Sequence, residues 1–340
     1  KETSVQWILR CIWTLCAAAL WILTSAAFAA AAPLGILTGT PKGTDYRLGL
    51  ELQEIMKSQG IDLAVHTSAG SVENIDAVYK RPGVHLGVVQ SDVLALVAKV
   101  RTHPTLRRMM QKTKVVAPLY NAEVHLLGQH FLRDFRDLEG KRVAVDREGS
   151  GTYLTARLLL EISQVKPAEI LPMGPEEALE LLRSGTVDAM FYTSGAPVPL
   201  FQEKVRPEDH LRLIPITDKN TKGFYPQTVI PAGTYLWQHE DVATISVKAV
   251  LVTYDYQRGM CDEVGRFAQA LEQNLEWLKK NGHPKWKEVD VDGKVAGWER
   301  SSCVRKASSL RAPIPDATAK EVNPVVETLR QLLPTKGGPP

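Results

Sequence analysis

The residues best suited to do chemistry in this chain are glycines and hydroxyls at the ends of apolar runs. Gly149-Ser150-Gly151-Thr152 lies between a short apolar run and a segment of helical periodicity. A helix N-terminus presents N–H groups with no partner inside the helix and a partial positive charge. Glycines let a ligand approach that backbone, so the turn is a natural seat for a carboxylate or a phosphate; the plain alternative is an N-cap on a tight turn. Gly43-Thr44 and Gly70-Ser71 stand in the same position before two other helical segments, which favours binding for the three together. Ser71 to Asn74 offers a hydroxyl and an amide, or a simple cap. Gln90-Ser91-Asp92 ends one apolar run and starts a helix. Asp92 suits an N-cap there, and Gln90 and Ser91 are the better contact candidates.

Catalysis finds little support. The chain has no G-x-S-x-G elbow and no H-E-x-x-H, and the G-S-G-T loop lacks the lysine of a nucleotide P-loop. His66 and His85 continue short strands and read as structural. No C-x-x-C and no Cys/His set has zinc spacing. No catalytic residue, cofactor or metal site is expected.

The elements that must position these loops alternate. GILT (35–38) is a strand. From Tyr46 to Gln59, Leu48, Leu52, Ile55 and Met56 recur at helical spacing, and Gly60 stops the helix. IDLAVH (61–66) is a strand, Asn74 to Lys80 a helix and HLGVVQ (85–90) a strand. The order then repeats: strand 142–146, helix 152–163, strand 169–173, helix 175–185 with Pro at its start and Gly at its end, strand 187–192. Two βαβαβ units follow, each with parallel strands and right-handed crossovers. Ligands of open parallel sheets sit beyond the carboxyl ends of the strands. All the loops above lie at that end, so two facing units make a cleft. VVAPLYNAEVHLLGQ (115–129) reads as two apolar runs crossing between the units, with a second crossing near Phe224 to Pro231. Strand 247–254 and helix 262–280 return to the first unit.

The expected division is a leader over 1–31, lobe one over 32–117 and 229–303, lobe two over 118–228, and a partly disordered tail over 304–340. The leader reading rests on an apolar run, 11–23, followed by small residues that fit an A-x-A cleavage site; the alternative is a retained anchor. Cleavage leaves Cys261 and Cys303, which pair in an oxidising compartment or stay as two buried thiols. With 340 residues, 44% hydrophobic and 23% charged, the chain can bury a core for two domains. A net charge of +3 is too weak for nucleic acid, and the densest basic stretch, 101–114, reads as a solvated face.

Taken together, GTPKGTDYRLG (39–49), TSAGSVEN (67–74), GVVQSD (87–92), PLYNAEVHLL (118–127), DLEGKRVAVDREGSGT (137–152), GTVDAMFYTSGAP (185–197) and PAGTY (231–235) resemble the TAXI family of TRAP-transporter solute receptors, over roughly residues 34 to 285. The resemblance implies an α/β fold of the two-lobed, type II-like periplasmic binding kind, with a hinged cleft between its βαβαβ units. It implies a periplasmic, monomeric receptor for a small anionic solute such as glutamate or 2-oxoglutarate, delivered to a TRAP-type permease. Ligand contacts carried over by position are Thr40, Thr44, Tyr46, Ser71, Asn74, Gln90, Ser91, Ser150, Gly151, Thr152, Gly195, Ala196 and Pro197. Tyr120 and Glu123 match a motif near the cleft. The chain departs from the family at Asp45 and Arg47. A carboxylate beside an anion site is awkward unless Arg47 or Lys42 neutralises it. Alternatives that keep the fold are an ABC-type receptor and a periplasmic sensory or interaction protein.

Overall fold

The computed structural model describes residues 33–99 and 104–309. The expected leader, the start of the basic stretch and a helix expected at 319–333 lie outside the described residues. The first unit is β1 (Leu34–Leu37), α1 (Thr44–Ser58), β2 (Leu63–His66), α2 (Ser71–Lys80) and β3 (Val84–Gln90). The second is β5 (Arg142–Ala144), α5 (Gly151–Ser163), β6 (Glu169–Leu171), α6 (Pro175–Arg183) and β7 (Ala189–Ser194). Between them stand α3 (Ser91–Lys99), α4 (Pro104–Lys112) and β4 (Thr113–Gln129). After them come α7 (Pro199–Lys204), β8 (Leu211–Leu213), β9 (Gln227–Ile230), β10 (Val242–Tyr254), α8 (Gly259–Asn281) and α9 (Ser302–Ser309).

Ten strands form one sheet, in the order β2-β1-β3-β10-β4-β7-β5-β6, with β8 on β4 and β9 on β10. β1 runs parallel to both β2 and β3, and β5 parallel to both β6 and β7. Each unit therefore winds outward from its first strand and then back across it. The direction of winding reverses between β1 and β3, and again between β5 and β7. The crevices at these reversals are where open α/β sheets bind ligands.

The apolar patterns explain the packing. α1 buries Leu48, Leu52, Ile55 and Met56, the stripe its spacing predicts. Gly49 lets that helix close on the sheet, because a β-carbon there would stand 2.8 Å from the Thr38 methyl and 3.0 Å from Val65. β3 is buried along its whole length, as a parallel strand covered on both faces must be. α6 starts with Pro175 and is followed by Gly185 at φ +72°, a conformation glycine adopts without steric cost.

Two long strands join the units. β4 is one strand of 17 residues, where two shorter runs were expected. Its first part pairs with β10, its last part with β7, and Glu123 pairs with both Ser246 and Ser194. The second crossing was expected near 224–231; the strand that spans the middle of the sheet is β10, 13 residues long, lying between β3 and β4. α8 packs on α1 with Phe267, Leu271 and Leu278 in the core. Cys261 at its start is joined by a disulfide to Cys303 of α9. Residues 304–309, the expected beginning of the tail, are helical. Closing a loop of 42 residues is worth about 4 kcal/mol through the entropy of the unfolded chain.

Candidate functional site

The loops at the carboxyl ends of both parallel units meet. After β1, Gly43 precedes α1 without a side-chain cap. The Thr44 N–H donates to Ser194 Oγ at 3.1 Å, and the Thr44 hydroxyl donates to the Gly195 carbonyl at 2.6 Å. Thr40 and Tyr192 share a hydrogen bond between hydroxyls at 3.1 Å. After β2, Gly70 adopts φ +129°, a conformation open to glycine and costly for other residues. A β-carbon on Gly70 would stand 3.2 Å from Ser150 Cα, and the Val72 N–H donates to the Gly149 carbonyl at 3.2 Å. After β3, the Gln90 side chain lies over Gly151, and Asp92 accepts the Thr155 hydroxyl at 2.6 Å. Lys42 and Glu203 pair on the neighbouring surface groove. Each of these contacts joins a residue of the first unit, or of α3 directly after it, to one of the second unit or the α7 segment that follows it.

The walls enclose a hollow of about 40 Å³. That is small beside the roughly 300–1,000 Å³ of common ligand pockets, because the two sides touch. Of the residues expected in the site, Thr40, Ser71, Gln90, Ser150, Gly151 and Thr152 line it. Ser150 caps α5 by accepting the Tyr153 N–H at 3.0 Å. Ser71 Oγ accepts the Gln90 N–H at 3.1 Å. Thr152 Oγ1 accepts the Thr193 N–H at 3.0 Å.

The other expected residues stand behind the wall or away from it. Asn74 is fully buried, and its amide donates to the carbonyls of Thr38 and Val88, tying β1 to β3. Ser91 Oγ accepts the Lys248 N–H. Thr44 supports the 194–195 turn. Gly195 lies against the Tyr120 ring, the Ala196 N–H donates to Glu123, and Glu123 pairs with the buried Lys285. Tyr46 and Pro197 line a separate surface groove with His283.

Sequence reasoning did not assign Thr38, Asp146, Tyr192, Thr193 or Ser194 to the wall, yet all five line it. The turns that carry Asp146 and Ser194 could be read as loops at the right end of the sheet. Strand alternation gave no means of telling which of their side chains face inward. Asp45 also lines the hollow. Neither cation that could neutralise it does so: Arg47 pairs with Glu51 and Lys42 with Glu203. Asp45 instead takes the Tyr120 hydroxyl on Oδ1 at 2.5 Å.

Burial sets the electrostatics. Asp45 is pushed up from 3.8 to about 6 by desolvation, with the Tyr120 hydrogen bond pulling back. Asp146 is likewise raised to about 6 by desolvation, against hydrogen bonds from the Arg147 N–H and Ser150. Asp146 also adopts φ +64°, which few residues other than glycine tolerate, aspartate being one of them. Among the described residues no group of three or more His, Cys, Asp or Glu is placed to hold a metal ion.

Residues 36–292 match the NMT1-like family. Among solved structures, a periplasmic transporter superposes with a TM-score of 0.53 at 15% identity, covering 84% of this chain and 94% of that one. MatC from Rhodopseudomonas palustris with bound malate gives 0.52 at 18% identity, over 83% and 96% of the two chains. The periplasmic binding protein BugD gives 0.52 at 11% identity, over 82% and 96%. At these identities the likeness establishes the fold, which is that of periplasmic binding proteins.

Proposed function

The chain belongs to the NMT1-like family, and from that premise we propose that it is an extracytoplasmic solute receptor, not an enzyme, that closes over a small carboxylate. Its lobes are residues 32–117 with 229–303, and residues 118–228. The observation that carries the reading is the seat at α5. Ser150, Gly151 and Thr152 line the hollow, and the loops of the other unit lie against them. The Gly151 and Thr152 N–H groups have no acceptor earlier in their helix, so a carboxylate there would take both. MatC shares the fold and has malate bound, which supports the ligand class; glutamate or 2-oxoglutarate are the members we favour. The resemblance to TAXI receptors supports periplasmic residence after removal of a leader, a monomeric state and delivery to a TRAP-type permease.

Closure is the working step. The contacts of Thr40 with Tyr192, Thr44 with Ser194, and Val72 with Gly149 exist only while the two walls touch. A solute that bonds both walls adds its differential affinity to these and shifts the population toward the closed form. The small hollow favours a small solute.

Two measurements test this. Native mass spectrometry of the purified protein is expected to find a retained small acid, and calorimetry is expected to find binding of L-glutamate or 2-oxoglutarate. Ser150→Asp places a like charge at the carboxylate seat and is expected to weaken that binding about 100-fold or more. Unchanged affinity in the variant overturns the seat, and no binding of any small acid overturns the ligand class.

A further inference from the structure

The hollow is lined by two carboxylates, Asp45 on one wall and Asp146 on the other, and by no lysine, arginine or histidine. Asp45 Oδ1 is held by Tyr120, while Oδ2 lies on the side of Gly39, another wall residue, 3.9 Å from where a β-carbon on that glycine would stand. Of the nearby cations, Lys42 pairs with Glu203 and Arg47 with Glu51, while the Arg147 guanidinium lies against Gly174 outside the hollow and stabilises the Asp146 charge only in part. Both carboxylates line the same hollow as Tyr192, whose hydroxyl is hydrogen-bonded to Thr40. At neutral pH both are mostly charged. A third group points to a missing partner. Thr193 lines the hollow and is 7% exposed, and its hydroxyl has no hydrogen-bond partner.

Two like charges on facing walls of a gap, with no cation between them, oppose its closing. A ligand with only carboxylates would add to that repulsion. We propose that the solute carries a protonated amine, which docks on Asp45 Oδ2 and is faced by Asp146 from the other wall. This rests on the carboxylate reading above and narrows it, because an amino acid satisfies both ends of the site. Its carboxylate lies at the α5 N-terminus, its ammonium between the two aspartates, and the Thr193 hydroxyl can accept a further N–H. The corresponding 2-oxo acid leaves the aspartates unpaired.

The test compares matched pairs by calorimetry: L-glutamate with 2-oxoglutarate, and L-alanine with pyruvate, with ethylamine as an amine that has no carboxylate. A charge-assisted bond to a buried carboxylate predicts that the amino acid of a pair binds about 10- to 100-fold more tightly than its oxo acid. Asp45→Asn keeps the side chain's size and its acceptor for Tyr120, and is expected to abolish that preference; Asp146→Asn is expected to reduce it. The wild-type comparison stands even if a variant fails to fold. Equal affinity within both pairs, or an undiminished preference in Asp45→Asn, overturns the proposal. Binding of ethylamine alone, lost in Asp45→Asn, supports the amine subsite while sinking the carboxylate reading. No binding of any amine-bearing probe at millimolar concentration overturns it, and so does binding of magnesium or calcium alone that Asp45→Asn removes.

Discussion

Asp92 is 2% exposed, and the groups that bond it are neutral: the Thr155 hydroxyl at 2.6 Å, the Val93 N–H at 2.9 Å and the Tyr225 hydroxyl at 3.4 Å. Desolvation raises it from 3.8 to about 6 in spite of these bonds. Between about pH 4 and pH 6 the folded protein keeps a proton that the unfolded chain has released. Stability therefore falls as pH rises through that window and stays at its lower value above pH 6. Two pKa units correspond to about 3 kcal/mol. Asp45 and Asp146 are raised in the same direction and add to the trend. Asp92→Asn removes one such contribution, so its stability relative to wild type is expected to improve between pH 4.5 and pH 7.5, by about 2 kcal/mol. Urea melts at the two pH values give this difference directly; a difference that does not change with pH would mean that Asp92 does not titrate in this range.

At the level of elements, the site is two helix N-termini brought face to face, and the glycines at their starts are what allow the approach. Gly151 opens α5, and a β-carbon there would stand 2.3 Å from the Gln90 side-chain oxygen on the opposite wall. Its backbone does not require glycine, since no positive φ occurs at this position. Gly151→Ala is thus expected to leave thermal stability within about 1 kcal/mol, alanine being the better helix former, while weakening solute binding tenfold or more because the walls can no longer meet. Calorimetry on the variant, with its melting temperature as control, separates the two effects; unchanged affinity would mean that Gln90 simply moves aside. The helices and the parallel strands were legible because each carries its own local signal: the stripe of Leu48, Leu52, Ile55 and Met56 for α1, and the apolar run of β3. β4 was read as two runs because Pro118 interrupts it. Pro118 sits beside a shift in register, where three residues of β4 oppose two of β10, and a proline is tolerated at such a bulge. The start of β10, 242–246, was missed because Ala243 and Thr244 weaken its pattern; its pairing with β9 over 242–245 and with Glu123 at Ser246 defines it. Asp146, Tyr192 and Thr193 escaped the site for a related reason: a loop's position is written locally, but the direction of each side chain depends on the partner wall.

For the molecule as a whole, the two parallel units are joined along β4 and β10, and Glu123 stands where β4 changes partner from β10 to β7. Glu123 is 6% exposed and pairs with Lys285, itself 4% exposed, in the turn that follows α8. It also accepts the Ala196 N–H at 2.8 Å, and Lys285 reaches Glu288 at 2.6 Å. One carboxylate thus ties the middle of the sheet, the turn after β7 and the returning C-terminal segment. Burial raises the Glu123 pKa, and Lys285 is the largest influence holding it down. Removing Lys285 alone strands a buried charge, which typically costs about 3–5 kcal/mol, whereas removing both charges with side chains of similar size costs much less. Lys285→Met is therefore expected to lower stability by about that amount, and Glu123→Gln in the Lys285→Met background to recover most of it. The cycle of denaturant melts measures the coupling. Additive losses would mean that the pair is not coupled in the folded protein. The recovered double variant carries a sharper consequence. It keeps every residue that lines the hollow but loses the charged tie between the units at the place where closing motion must bend the sheet. Small-angle scattering is expected to find its ligand-free form more open than wild type, with solute affinity reduced by the shift in population rather than by any lost contact.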